Sequence, residues 1–481
     1  MLTKLNVSST PFSRREMLCH CFNGVGAIAL SSFLAKDGWT ASGNSLAAKP
    51  PMIPAKAKRC IFLYMSGGVP QMDTFDYKPA LEKYAGQPMP QVTGVEGTEI
   101  ERYLRMPNVV IPSPFPFARV GKNGRYMSTL FEHLKDCVDD LAFVHGVKMD
   151  SNNHAPATMH VNTGSVFQTN PSVGAWVTYG LGTVNQNLPG YVVLQDPRGG
   201  PLNGEAVWQS GFLPASYQGT SLRRTGTPIL ALNLPPGQTR ERERMQLDFL
   251  YKMNESHAAA RLEADELEAR IAAYELAFRM QTEAPEVVDS SKEPQYIQRL
   301  YGLDKPETAP FGKQCLLARR LVEKGVRFVL AIHGWENGAL SWDFHSTLAP
   351  RLQARVREVD QPVTALLKDL KQRGLFEDTL VVWVSEMGRT PFNNLTIGRN
   401  HNQYGMVTWF AGAGIKGGAE AGGPTDDFGL KSAHAPIPVR DVHATLLHQL
   451  GLDDKALTFL HEGRYKRLTD TGGSVLNGIL V

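Results

Sequence analysis

Six short segments of this chain set acidic, imidazole or guanidinium side chains beside glycine, asparagine or proline: "SGGVPQMDTFD", "NNHAPATMHVNTG", "HGWENGALSWDFH", "SEMGRTP", "GRNHNQYG" and "GGPTDD". Oxygen and imidazole donors dispersed in this way suit a divalent cation, and on residue type alone zinc, magnesium, calcium or manganese would each be accommodated. Asp343 and His345 are separated by one residue, which on an extended segment turns both to one side. Glu386 directly follows the apolar run "TLVVWV" and Ser385, and Arg389 lies three residues later. A guanidinium there has the planar fork that holds phosphate or sulfate oxygens in pairs. His401 follows Gly398-Arg399-Asn400, a turn composition able to swing an imidazole into a cleft. His333 and His443 read as structural histidines.

Side chains this far apart in sequence meet only if a sheet brings their strand ends together. The runs "RCIFLYMSGG", "LAFVHG", "GYVVLQDP", "RFVLAIHG", "TLVVWVSEMG" and "MVTWFAGAG" are continuous apolar stretches. Such stretches suit strands covered on both faces. Between them "PSVGAWVTYGLG", "CLLARRLVEKG", "LAPRLQARVREVDQPVTALLKDLKQRG" and "VRDVHATLLHQLG" read as helices, several closing on Lys or Arg and then Gly, a helix stop. The alternation predicts a doubly wound, mostly parallel α/β sheet, whose sites lie at the carboxyl ends of its strands. One region breaks the alternation. Residues 240–281 are charged and helical, with Leu267, Ile271, Tyr274 and Phe278 along one face. They read as a helical insertion serving as a lid or an oligomer contact.

The formal charge of the 481 residues is +3, of which residues 1–47 carry +2. So even a balance creates no global field for nucleic acid, and no basic-aromatic stripe of a single-strand binder is present. The opening residues carry an address instead. "SRREML" precedes the moderately apolar "CHCFNGVGAIALSSFLA" and then "GNSLAAKP". Paired arginines, an apolar run too short to span a bilayer and a small-x-small site predict a twin-arginine signal peptide over residues 1–47, cut after Ala47. The expected partner is the twin-arginine translocase, and the mature domain over 48–481 is expected in the periplasm or outside the cell, without a membrane span. Beyond the leader only Cys60, Cys137 and Cys315 remain, enough for at most one bridge and for no zinc pattern.

The tail "PVRDVHATLLHQLGLDD" resembles the sulfatase tail, and "VVWVSEMGRT" resembles the sulfatase strand that ends Ser-Asp-His-Gly, with Glu386 at the Asp position and Met387 at the His position. "RCIFLYMSGG" is similar to the opening metal-binding strand, although its paired aspartates are absent. "HAPATMHVNTG" keeps the Pro and the Thr-Gly of the nucleophile segment but opens on His154 where a sulfatase has Cys or Ser. With the leader, "DTFDYKP", "WDFH" and "GRNH", the chain resembles a bacterial family of exported, uncharacterised sulfatase-like proteins near the alkaline phosphatase superfamily.

The resemblance implies that superfamily's α/β fold and a divalent-metal site assembled from Asp73, Asp343, His345, Glu386 and His401. Asp73 aligns with no sulfatase ligand. His154 falls at the nucleophile position, and Thr158 at that of its supporting Arg. Histidine has neither hydroxyl nor thiol, so the formylglycine route is closed there. Its open roles are metal ligand, general base or nucleophile. The expected function is hydrolysis of sulfate or phosphate esters, on an anionic ester or polysaccharide, with His154 and Arg389 as the catalytic pair. The alternative is a non-catalytic relative that binds an anionic glycan or a partner protein in the same cleft.

Overall fold

All six apolar runs form strands. In chain order they are β1 (Arg59–Met65), β2 (Leu141–Lys148), β3 (Tyr191–Leu194), β5 (Phe328–His333), β6 (Thr379–Ser385) and β7 (Met406–Gly412); the short β4 (Thr220–Ser221), β8 (Glu420–Ala421) and β9 (Ile437–Pro438) join them. A computed structural model describes residues 45–481 apart from 227, 230–236, 260–264, 337–338 and 395. Most of the expected leader therefore lies outside the described residues. Leu46 is buried and Ala47 pairs with Thr183, so a cut after Ala47 removes both contacts.

The sheet runs β8-β2-β7-β6-β1-β5-β3-β4, with β9 also against β2. Five of the six long strands point one way. β7 alone is reversed, antiparallel to both β6 and β2. The architecture is thus α/β with a mostly parallel sheet, as the alternation predicts. The reversal has a consequence for the site. Because β7 runs against β6, the chain between Ser385 and Met406 leaves and re-enters the sheet at the same edge, which brings residues 386–405 back to it.

Alternate side chains of β1 feed two separate cores, as the pleat requires. Ile61, Leu63 and Met65 pack on one face with α5 (Ala309–Glu323) and α6 (Leu348–Gln372); Cys60, Phe62 and Tyr64 pack on the other with α2 (Val173–Leu181) and α7 (Val439–Gln449). Each buried Val, Leu or Phe contributes about 1.5–3 kcal/mol over leaving it in water. A one-residue slip of β1 would exchange its two faces, so the register is strongly fixed. In that register Met65 lies opposite both Ser385 and His333, which levels the carboxyl ends of β1, β5 and β6.

Two elements differ from the sequence reading. "HAPATMHVNT" is α1 (His154–Thr163), capped by the Asn153 side chain at its start and by Gly164 at φ +71 at its end. The 240–281 region is two helices, α3 (Arg240–Ala259) and α4 (Asp265–Val288). The buried stripe of α4 is Met280, Ala284 and Val287, with Leu276 partly buried beside it. Tyr274 is exposed, Phe278 lies under Arg240 and Arg244, and the Leu267 side chain is outside the described residues. Among the described residues no helix is long and apolar enough to cross a membrane.

Candidate metal centre

Three connections meet at the levelled carboxyl edge. His154 opens α1 just after β2. Asp343 and His345 follow β5, Glu386 follows β6, and Arg389 and His401 sit on paired two-residue strands of the returning chain. His154, Asp343 and His401 each turn one ligand atom toward a common point, the three atoms lying within 4.8 Å of one another.

The two histidines are oriented alike. His154 Nδ1 lies 2.9 Å from Glu386 Oε1, and His401 Nδ1 lies 2.7 Å from the Asn152 carbonyl oxygen. Both acceptors are oxygens, so each Nδ1 is the donor and each Nε2 faces inward. An imidazole held by a carboxylate or carbonyl behind it is the usual arrangement of a metal-ligating histidine. His154 Nε2 is buried without a hydrogen-bond partner, 3.5 Å from Asp343 Oδ1. His401 Nε2 lies equally far from that oxygen, at 3.5 Å, and the two rings stand edge to face with centroids 4.3 Å apart.

Glu386 stands behind this front. It is wholly buried and accepts from the Gly67 amide at 2.6 Å and from the Tyr64 hydroxyl at 3.2 Å, while Tyr64 also bonds Thr158 at 2.9 Å. Burial alone would raise its carboxyl, but the His154 bond and the Gly67 amide hold it below the ordinary value. Burial would lower His154, and the nearby carboxylates of Asp343 and Glu386 overcome it and raise the imidazole. Asp343 is held far below the usual carboxylate range despite its burial, by the Arg389 charge and the two facing histidines. Burial pulls His401 down and takes His345 to about 4.

His345 is at the mouth, its side chain 45% exposed, 3.2 Å from Asp343 Oδ1 and 2.9 Å from His401 Nε2. Arg389 is fully buried, and its guanidinium is spent inside the protein. It donates to the carbonyls of Gly67, Gly68 and Trp342 and, at 2.6 Å, to Asp343 Oδ1. It fixes the inward-facing Asp343 carboxylate rather than reaching outward. Asp73 stands apart: both oxygens are taken by Arg399, at 2.5 and 2.8 Å, with both side chains fully buried. Tyr64, Ser385, whose hydroxyl reaches Glu386 Oε2 at 3.3 Å, and Asn152 support the site without having been legible as site residues. Tyr64 hides inside an apolar run, and Asn152 acts through its backbone.

The residues fit a divalent ion: an unpartnered buried imidazole nitrogen, a second imidazole set in the same tautomer, and an ionised carboxylate between them. Along the whole domain, residues 57–480 match the family described as "Protein of unknown function (DUF1501)". The chain belongs to the DUF1501 family. The DUF1501 chain is also similar to solved structures, each with low identity. A sulfatase from Pseudoalteromonas sp. shares 11% identity over 89% of this chain and 71% of its own, with a TM-score of 0.29. A phosphonate monoester hydrolase from Silicibacter pomeroyi shares 15% over 72% of each chain, with a TM-score of 0.30. Alkaline phosphatase from the Antarctic bacterium TAB5 shares 10% over 75% of this chain and 91% of its own, with a TM-score of 0.28. Comparison with functionally curated proteins gives no match.

Proposed function

We propose that this DUF1501 protein is an exported, metal-dependent hydrolase of sulfate or phosphate esters that does without formylglycine. The observation that carries the reading is the convergence of His154 Nε2, Asp343 and His401 Nε2, with Glu386 and the Asn152 carbonyl fixing the two rings from behind. A bound divalent ion would be held by those three residues, with His345 at the open side, and supplies Lewis acidity toward an ester oxygen and a lowered pKa to water.

The chain's own residues set the rest. Glu386 keeps the proton of His154 on Nδ1 and so keeps Nε2 turned to the site. Arg389 holds Asp343 in place and ionised. Because His154 is the first residue of α1, the positive end of that helix lies at the cluster, which favours an anionic ester. Polysaccharide bearing such esters is the substrate class we favour, on the exposure of His345 at the mouth. The sequence resemblance to sulfatases supports the ester class, and histidine at the nucleophile position supports a route without a covalent oxygen nucleophile.

One observation favours the alternative of a binding protein without turnover. Arg389, the cation placed to meet an anionic group, is consumed by backbone carbonyls and Asp343. The deciding experiment is turnover of an aryl sulfate and an aryl phosphate by metal-loaded protein and by Asp343→Asn. Hydrolysis lost in the variant supports the hydrolase, and no hydrolysis by stoichiometrically loaded protein leaves the binding protein. The leader supports export through the twin-arginine translocase. Peptide mapping of secreted protein should find it to start near Ala48, and residues 1–47 retained in the cytoplasm would contradict it.

A further inference from the structure

The helix α3 wears its apolar residues on the outside. It is fastened to α4 by polar contacts. Arg244 donates to Glu275 at 2.6 and 2.9 Å, and Gln281 donates to Glu243 at 2.8 Å. The guanidinium groups of Arg240 and Arg244 lie over the Phe278 ring, 5.9 and 5.1 Å from its centre. The other side of the same helix carries Met245, Phe249 and Met253, four residues apart and so on one face. They leave 62, 64 and 45% of their surfaces in water, and Leu250 is exposed beside them. A surface helix ordinarily turns such a stripe toward its own core. An apolar stripe turned outward on a soluble domain marks a surface that another body covers.

The stripe itself says which body fits. Met-x-x-x-Phe-x-x-x-Met reads the same in both directions, and Phe249 stands at the middle of the 20-residue helix. A second α3 laid antiparallel across it therefore overlaps over its full length, with each Met245 against the Met253 of the other copy and the two Phe249 rings meeting on a two-fold axis. Such a self-complementary contact is the isologous kind that closes a dimer. Charge agrees with it. Asp248 and Lys252 are both exposed and lie one helical turn apart on the same flank of the stripe. The two-fold brings each Lys252 beside the second copy's Asp248, twice per contact. An anionic lipid surface would instead meet Asp248 and Glu241 on that flank and be repelled by them.

We propose that α3 is a dimerisation element, pairing antiparallel with α3 of a second copy of this chain through Met245, Phe249 and Met253. The adaptable methionine side chains fill the space around the two facing rings, and the Lys252–Asp248 pairs set the direction of the partner. The contact is independent of the metal reading.

The test is sedimentation equilibrium of the purified full chain and of its exported form, alongside Phe249→Asp, Lys252→Asp, Asp248→Lys and the double variant Lys252→Asp with Asp248→Lys. A contact of two helices is at the small end of specific interfaces, so the expected result is a dimer with a Kd of about micromolar order in both forms. Phe249→Asp strikes the contact from both sides and should weaken it about a hundredfold or more. Each single charge swap should weaken it by about fivefold, and the double swap should restore it. Asp248, Phe249 and Lys252 all face solvent, so the variants keep the fold. A chain still monomeric at about 100 µM, a dimer unchanged in Phe249→Asp, or a double swap no tighter than the singles overturns the proposal. So does a dimer confined to the leader-bearing form, or a monomeric chain that binds phosphatidylglycerol vesicles through Phe249. Metal content and ester turnover are read on the same samples and should not change in Phe249→Asp, which separates failure of the dimer from failure of the hydrolase reading.

Discussion

Glu386 Oε1 and His154 Nδ1 lie 2.9 Å apart, a wholly buried carboxylate against a partly buried imidazole, in a contact that spans 232 residues of sequence. The carboxylate does not face the cleft. It faces the back of the imidazole, with Gly67 and Tyr64 holding it there, and the ligand atom is therefore on the histidine.

A supporting carboxylate of this kind is worth about 10–100-fold in metal affinity. Glu386→Gln should bind the ion that much more weakly without losing it, as read by chelator competition. Complete loss would make Glu386 a ligand itself, and unchanged affinity would remove it from the site.

Asp73 and Arg399 form a buried pair with no exposure on either side. Breaking one partner of such a pair costs about 3–5 kcal/mol, because the other charge is stranded. Asp73→Asn should lose stability of that order in urea unfolding while its folded fraction keeps full metal content. Metal loss without loss of stability would make Asp73 a ligand.

Arg389 donates to four backbone carbonyls, of Gly67, Gly68, Trp342 and Arg399, and to Asp343. Arg389→Ala should cost a similar 3–5 kcal/mol and also weaken metal binding, since Asp343 loses the bond that aims it. Arg389→Lys keeps the charge but not the fork, and should fall between. A fully stable Arg389→Ala with lowered substrate affinity alone would instead place the guanidinium on the substrate.

His160 and His443 are wholly buried. Burial lowers His160 to about 3 and His443 to about 4. In the unfolded chain both titrate near 6.5. Between those values the unfolded state binds more protons, so stability is flat above about pH 6.5 and falls as pH drops toward 4, by roughly 1.4 kcal/mol per group per pH unit. Urea midpoints at pH 7 and pH 5 check this, with His443→Gln giving the shallower fall. Equal slopes in wild type and variant would contradict the assignment.

The strands were legible because side chains buried on both faces leave unbroken apolar runs, as in "TLVVWVS". The direction of β7 was not, since "MVTWFAG" reads the same in either sense, and only the pairing with β6 and β2 reverses it. α1 was hidden for a different reason. Its buried positions include Thr158, His160, Asn162 and Thr163, so no apolar stripe marks it as a helix. Residue type and placement after strands picked out Asp343, His345, Glu386, Arg389 and His401, the resemblance to sulfatases picked out His154, and the fold gathers all six at one edge. Which of them turn a ligand atom inward and which stand behind depends on partners hundreds of residues away. Asp73 illustrates the limit: an acid after a strand looks like a ligand until Arg399 is seen to take both its oxygens.

The most direct measurement is elemental analysis of the purified full chain alongside His154→Ala, Asp343→Asn and His401→Ala. The geometry predicts a stoichiometric divalent ion in the wild type, lost or much reduced in each of the three folded variants. An ion content near zero in the wild type after dialysis against zinc, calcium, magnesium and manganese in turn, or a stoichiometric content that survives all three substitutions, would contradict a metal centre at His154, Asp343 and His401.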